Sequence, residues 1–377
     1  MKIIIAGDFC PQQRVAGLLE SGDFSTVLHE VKLIIEQADY SIVNYECPVA
    51  DGEAFPIIKV GPNLHCSEKG IEAVKWAGFD GVTLANNHFL DYGDAGVKKT
   101  LDACKKAGIE TVGGGKSLKD ASQTLYKQLK GKTLAIINCC EHEFSIATEE
   151  RAGSNPMNPI QQYYAIHEAR EEADYVLVIV HGGHEHFQLP SKRMQDTYRF
   201  FVDVGADAVI NHHQHCFSGY EMYKGKPIFY GLGNFCFDRK GHLNDSWNEG
   251  FMLELHLGQE IEFRLYPYNQ CGKKPSVELQ EEHLFDNKIA ELNKIIADPA
   301  KLKKAMEGYY RQCADKMTKN ISPLSGRFLQ SLNHRGILPS FVTNDWLLRM
   351  RNFVLCESYR EKLEWLFVNS ENRKKII

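Results

Sequence analysis

Seven of the fifteen histidines in this sequence fall in three short stretches: Asn86-Asn87-His88, His181-Gly182-Gly183-His184-Glu185-His186 and Asn211-His212-His213-Gln214-His215. Two further stretches, Gly7-Asp8 and Asn44-Tyr45-Glu46, offer carboxylates and an amide. Imidazole nitrogens mixed with carboxylate and amide oxygens suit Mn, Zn or Fe better than Ca or Mg alone. Any one of these histidines, taken singly, could be a turn or core residue. Two imidazoles crowded into His213-x-His215 need a further reason, and five such clusters are poorly explained by packing. There are donors enough for two ions sharing one carboxylate, an arrangement that clamps a hydrolytic water and an oxyanion. The set predicts a metal site.

Strands must position these residues. Each cluster closes an apolar run: Ile3-Ile4-Ile5-Ala6 before Asp8, Ser41-Ile42-Val43 before Asn44, and Val82-Thr83-Leu84-Ala85 before Asn86. The runs Tyr175–Val180 and Ala208-Val209-Ile210 precede the other two. Short continuous apolar runs of this kind read as buried strands, and open α/β sheets place their chemistry at strand C-termini. Helical patterns fill the gaps, near residues 27–37, 70–77, 94–107, 160–172 and 191–204. Residues 251–257 and 261–266 alternate like antiparallel strands closing an edge. The stretch from Gly52 to Cys66, with Pro56, Lys59, Gly61 and Pro62, is a loop long enough to cover a site. Gly113-Gly114-Gly115 reads as a turn; a lone glycine triplet is weak evidence for phosphate binding. After Lys273 strand signals fade and helical periodicity takes over (Ile289, Leu292, Ile295, Ile296; Leu347, Leu348, Met350). The expected division is an α/β domain over residues 1–270 and a mainly helical C-terminal extension over 271–377.

At 377 residues, 43% hydrophobic and 25% charged, the chain can bury a large core. A net charge of −5, with no basic stripe interleaved with aromatics, argues against a nucleic-acid partner. Eleven scattered cysteines without a C-x-x-C pair suit reduced thiols. The N-terminal apolar run is too short for a signal peptide, and no run approaches the ~20 residues that span a bilayer. These features predict a cytoplasmic protein without a membrane span.

Several of these motifs recur together in one known family. Gly7-Asp8, Asn44-Tyr45-Glu46-Cys47-Pro48, Leu84-Ala85-Asn86-Asn87-His88-x-x-Asp91-Tyr92-Gly93, His181-x-Gly183-x-Glu185, His213-x-His215 and Gly233-Asn234-Phe235 occur in the order of the CapA family. These are the capsule and poly-γ-glutamate synthesis proteins of the calcineurin-like metallophosphoesterase superfamily. The chain resembles them over roughly residues 1–255. The resemblance implies a four-layer α/β/β/α fold with two divalent metal ions. It implies Asp8 and His215 on one ion, Asn87, His181 and His213 on the other, and Glu46 bridging. His88 would be the proton donor to the leaving group. The chain departs from the wider superfamily at Asp8-Phe9-Cys10, where Asp-x-His is usual, and at Glu46, where Asp is usual. Within CapA proteins, Asn211 and Gln214 replace a usual Gly and Pro, and His186 a common Tyr. The first ion is therefore expected to be weakly held or differently coordinated.

The chemistry this predicts is metal-assisted hydrolysis of a phosphoester or amide in cell-surface polymer metabolism. Lys59, His65 and Glu185 are candidates for substrate contact or for orienting the ligands. The substrate would be a small molecule or a polymer, and other capsule-synthesis proteins are possible partners. A different class of reading is a non-catalytic accessory or binding protein of capsule synthesis that keeps the metal fold. A redox or zinc-thiolate protein finds little support, since the cysteines lack paired spacing, although Cys10 could reach a metal if its loop curled inward.

Overall fold

The computed structural model describes residues 1–50, 54–59, 61–320, 326–339, 342–344, 346–347, 350 and 354, the side chains of 314–320 excepted. A first compact unit, Met1–Lys304, is built on two large sheets. The first sheet comprises β1 (Lys2–Phe9), β2 (Tyr40–Tyr45), β3 (Gly81–Thr83), β4 (Glu110–Val112), β13 (Asn234–Cys236), β14 (Glu249–Leu257), β15 (Ile261–Gln270) and β16 (Val277–Leu279). Its order is β16-β15-β14-β1-β2-β3-β4, with β13 pairing the end of β1. The second sheet, in the order β11-β12-β10-β9-β7-β6, comprises β6 (Leu125–Leu129), β7 (Lys132–Cys140), β9 (Tyr175–His181), β10 (Ala208–His212), β11 (Tyr220–Tyr223) and β12 (Lys226–Phe229). Two dipeptides, β5 (Gly114–Gly115) and β8 (Gly153–Ser154), pair separately.

Alternation along the strands sorts the layers. Ile3, Ile5 and Ile42 of the first sheet pack with Ile136, Leu177, Ile179 and Ile210 of the second, forming the core between the sheets. The alternate residues Ile4, Ala6, Val43 and Val82 face helices α1 (Gln13–Glu20), α2 (Phe24–Glu36), α3 (Lys69–Ala77) and α4 (Gly93–Ala107). On the far side, α6 (Pro159–Glu172) and α7 (Lys192–Val204) cover β7, β9 and β10; α5 (Leu118–Ala121) is a single turn beside β5 and β8. The expected four-layer α/β/β/α sandwich is present. Period-2 strands buried on both faces leave no alternative to helices on each outer face.

Helix starts follow their sequences. Asp23 accepts from the Thr26 amide at the start of α2, Ser191 caps α7, and Asn158 caps α6 with Pro159 in its first turn. Because β1, β2, β3 and β4 run parallel to one another, and β7, β9, β10 and β12 do the same, their C-terminal ends gather at one rim. Gly7 permits the closest approach there: a Cβ on it would lie 2.0 Å from the Gly233 carbonyl oxygen. That contact lets β13 pair with the end of β1, so Asn234 sits beside Asp8 in register.

The sheet does not end where the helical pattern begins. Residues 277–279 form β16 on the edge of the first sheet. Helix α8 (His283–Ile296) inserts Phe285 and Ile289 into the core between the sheets. Both elements lie in the first compact unit, beyond the boundary expected near residue 270. Helix α9 (Pro299–Asn320) runs past its end, and α10 (Arg327–His334) belongs to the second unit, Ala305–Ile377. Beyond β16 the elements described in the C-terminal region are the helices α8, α9 and α10, while the periodicity noted at Leu348 lies outside the described residues.

Candidate metal centre

The rim where the strand ends gather is lined with donors and almost closed to solvent. Asp8, Glu46, Asn87, His181, His213 and His215 are all buried, none more than 7% exposed. Asp8 is the penultimate residue of β1; its Oδ1 accepts from Asn44 Nδ2 at 2.7 Å and its Oδ2 from the His213 backbone N–H at 3.3 Å. Ring nitrogens of His212 and His215 each stand 3.6 Å from its oxygens. Glu46, just past β2, is 0% exposed, and neither of its carboxylate oxygens has a hydrogen-bond partner. Its Oε1 lies 3.5 Å from His181 Nε2 and 3.7 Å from His215 Nε2.

These separations decide what the site fits. A buried carboxylate without a hydrogen bond costs several kcal/mol unless a cation answers it. Gaps of 3.5–3.7 Å are too long for hydrogen bonds. They match the spacing of two atoms that each stand about 2.0–2.2 Å from a common ion. The same holds around His181 Nε2, which has Asn87 Oδ1 at 3.0 Å, His213 Nδ1 at 3.1 Å and Glu46 Oε1 at 3.5 Å. A single N–H satisfies only one of these three. The donors sort into two groups, Asp8, Glu46 and His215, and Glu46, His181 and His213, which share Glu46. Among the described residues no cysteine joins either group. Cys10 instead accepts from Gln12 Nε2 at 3.5 Å and meets Cys47.

Electrostatics agree with a site built for positive charge. Burial pushes the Asp8 carboxyl up to about 7, against the lowering effect of its bonds to Asn44 and His213. Burial, and then the Asp8 charge, push Glu46 well above the usual carboxylate range. Burial and neighbouring imidazoles hold His181 and His215 well below the usual histidine value, keeping them neutral and able to ligate. His213 and His215 have φ of 89° and 55°. Left-handed backbone at non-glycine residues costs of order 1–3 kcal/mol each, and here it delivers two rings to the rim.

A second layer of contacts fixes the rings. Asn234 Oδ1 lies 2.9 Å from His215 Nδ1, leaving Nε2 toward Glu46. Asn44 Nδ2 lies 3.2 Å from His181 Nδ1. Asp91, fully buried, holds His88 Nδ1 at 2.6 Å, accepts from the Leu64 amide at 2.7 Å, and pairs with Lys59 Nζ. Asn44, Asp91 and Asn234 all stand in the motifs of the sequence, but their orienting contacts are not legible there. Asp91 had a local signal, three residues after His88 on the same turn, but Asn44 and Asn234 act through strand register that no local pattern reports.

A cleft of ≈ 320 Å³ opens over the centre, lined by Gln12, Leu64, His88, Glu185, His215 and Trp247 among others. Of the three substrate-contact candidates, only Glu185 lines it. Lys59 is turned into Asp91 and stands 3.1 Å from His88 Nδ1. His65 is exposed, rests on the Tyr92 ring at 4.8 Å, and lines a neighbouring depression.

The family model for the bacterial capsule synthesis protein PGA_cap matches residues 2–239. The chain belongs to this family. It is 34% identical over 247 residues to the capsule biosynthesis protein CapA of Bacillus anthracis, covering 63% of this chain and 60% of that one. To the PGA biosynthesis protein CapA of Bacillus subtilis it is 31% identical over 236 residues, 62% of each chain. The chain therefore spans less than two thirds of the length of these relatives. Among solved structures, it is similar to a 5′-nucleotidase precursor from Thermus thermophilus, at 12% identity and a TM-score of 0.42, covering 84% of this chain and 59% of that one. Among the described residues, no helix is long and apolar enough to cross a membrane.

Proposed function

We propose that this chain is a metal-dependent hydrolase with two divalent ions, Mn, Zn or Fe, acting on a phosphoester or amide bond in capsule or poly-γ-glutamate metabolism. The observation that carries the reading is Glu46, a fully buried carboxylate without a hydrogen bond, standing where two donor groups meet. Asp8, Glu46 and His215 would hold one ion; Glu46, Asn87, His181 and His213 would hold the other. Bound there, the ions would polarise the substrate oxygen and lower the pKa of a water.

The remaining work falls to the chain's own residues. His88 borders the cleft with Nδ1 engaged by Asp91, which leaves Nε2 as the nitrogen able to pass a proton to the leaving atom. Asp91 fixes the tautomer and stabilises the imidazolium. Leu64, Phe237 and Trp247 wall the cleft and limit water. Arg14 is spent on Asp238 and three backbone carbonyls, and Lys59 on Asp91. Arg239, laid over the Trp247 ring at 4.8 Å, has no carboxylate partner among the described residues. It favours a substrate with an anionic group beside the bond to be cut. Buried unpaired thiols such as Cys10, Cys47 and Cys104 fit a reducing compartment, and with it a cytoplasmic site of action.

One observation favours a second reading, an accessory or binding protein of capsule synthesis. The first donor group has only three members, since Cys10 stands where an imidazole donor is usual and is turned into the thiol cluster. The deciding assay is turnover of bis(p-nitrophenyl) phosphate, p-nitrophenyl phosphate and γ-glutamyl p-nitroanilide by Mn- and Zn-loaded protein. The hydrolase reading expects turnover of at least one, lowered about 10²–10⁴-fold in His88→Asn with metal content unchanged. Two bound ions with no turnover of any would favour the accessory reading.

A further inference from the structure

Glu143, three residues beyond the end of β7, is a carboxylate that the proposed reaction leaves without a role. Its Oε2 accepts from Asn87 Nδ2 at 3.3 Å, and its Oε1 lies 3.7 Å from His213 Nε2. Both contacts fall on the atoms opposite the ones that face the centre. Asn87 turns Oδ1 to His181 Nε2, and His213 turns Nδ1 to the same nitrogen. We infer that Glu143 is the positioning residue of the second ion's site, orienting two of its ligands at once. By accepting from the Asn87 amide it fixes which end of that amide points inward. Its charge, 3.7 Å from His213 Nε2, favours the tautomer with the proton on that nitrogen, whose Nδ1 keeps a lone pair for the metal.

His215 is held by the neutral Asn234 and His181 by the neutral Asn44, each serving one ring. Glu143 is a carboxylate that reaches two residues, one oxygen toward each. It is not a ligand itself: its oxygens fall outside both donor groups, and its side chain is 37% exposed where theirs are closed to solvent. That exposure also means little stability rests on it in the absence of metal.

The inference rests on the metal reading above, and Co²⁺ titration of the full chain separates the two. Wild type, Glu143→Gln and Glu143→Ala are followed by d–d absorption and chelator competition, with thermal unfolding of the metal-free proteins as the folding control. Two ions are expected in wild type. In Glu143→Ala one ion should bind about 10–100-fold more weakly, the other changing less than about twofold. Glu143→Gln should fall between, because it keeps an acceptor for Asn87 Nδ2 but loses the charge beside His213 Nε2. Metal-free unfolding should be unchanged in both variants. Wild-type affinity for both ions in Glu143→Ala would overturn the positioning role alone. Outright loss of one ion in both variants, with an altered absorption band, would also overturn it by making Glu143 a ligand. No Co²⁺ binding by wild type would remove the metal reading and this inference together.

Discussion

Replacing Asp8 with asparagine should make the metal-free protein more stable at pH 8 and the metal-loaded protein less stable. Burial raises the Asp8 carboxyl from 3.8 to about 7. At roughly 1.4 kcal/mol per pKa unit, the ionised group costs the native state about 4 kcal/mol once the pH exceeds 7. Asparagine removes that cost and keeps an acceptor for Asn44 Nδ2, but its amide hydrogens face the His213 N–H, returning about 1–2 kcal/mol. The net gain is about 2–3 kcal/mol. For a cooperative unit of roughly 300 residues the unfolding entropy is about 0.6 kcal/mol/K, so the midpoint should rise by about 3–5 °C. The sign with pH follows from linkage. Between 3.8 and about 7 the native state holds a proton that the unfolded chain has lost. The penalty is therefore absent below pH 4, grows through that window, and is complete above 7. The advantage of Asp8→Asn must shrink as the pH falls toward 4, where the wild-type carboxyl is protonated in both states. Saturating Mn or Zn reverses the order, since an ion at a hundred times its Kd stabilises wild type by about 3 kcal/mol and the variant has lost a ligand. Thermal unfolding by circular dichroism at pH 8 and 4.5, with and without metal, reads all four states. A metal-free variant less stable than wild type at pH 8, or a difference that ignores pH, would refute the reasoning.

Further expectations follow from the same geometry. Below pH 7 the first ion must displace the Asp8 proton, and Glu46, also raised by burial, adds to the effect, so its affinity should weaken by at least about tenfold per pH unit down to pH 5, read by chelator competition; a flat profile would contradict the burial argument. Asp91→Asn, which leaves His88 without its charged partner, should lower turnover by about 10–10³-fold at unchanged metal content, checked by steady-state kinetics and elemental analysis. Gly7→Ala forces a Cβ to 2.0 Å from the Gly233 oxygen, so β13 must separate from β1. A loss of about 3 kcal/mol or more in denaturant unfolding is expected. Arg239→Gln should raise KM for an anionic substrate about tenfold or more while sparing kcat.

The donor clusters were legible in the sequence because parallel strands bring their C-terminal ends to one rim, so an Asp after Ile3–Ala6 and a His after Tyr175–Val180 arrive together. Seven histidines packed into three strand ends marked the chemistry before any pairing was known. What stayed hidden depends on distant register. Asn234 reaches His215 only because Gly7 lets β13 pair with β1. Glu143 reaches Asn87 and His213 only because β7 lies beside β9. Residues 277–296 read as the start of a helical tail because β16 is only three residues long and too short to show alternation. The place of His65 in the loop suggests a site residue, but its ring meets Tyr92 at a tilt, and it lines a neighbouring depression.

Everything proposed for this protein depends on Glu46 serving two ions. Elemental analysis of freshly purified wild type and Glu46→Gln, repeated after Mn or Zn addition and desalting, tests that directly. The account predicts close to two ions per chain in wild type and loss of both in the variant, because both donor groups share this one carboxylate. Two ions retained in Glu46→Gln, or none in wild type even after metal addition, would contradict it.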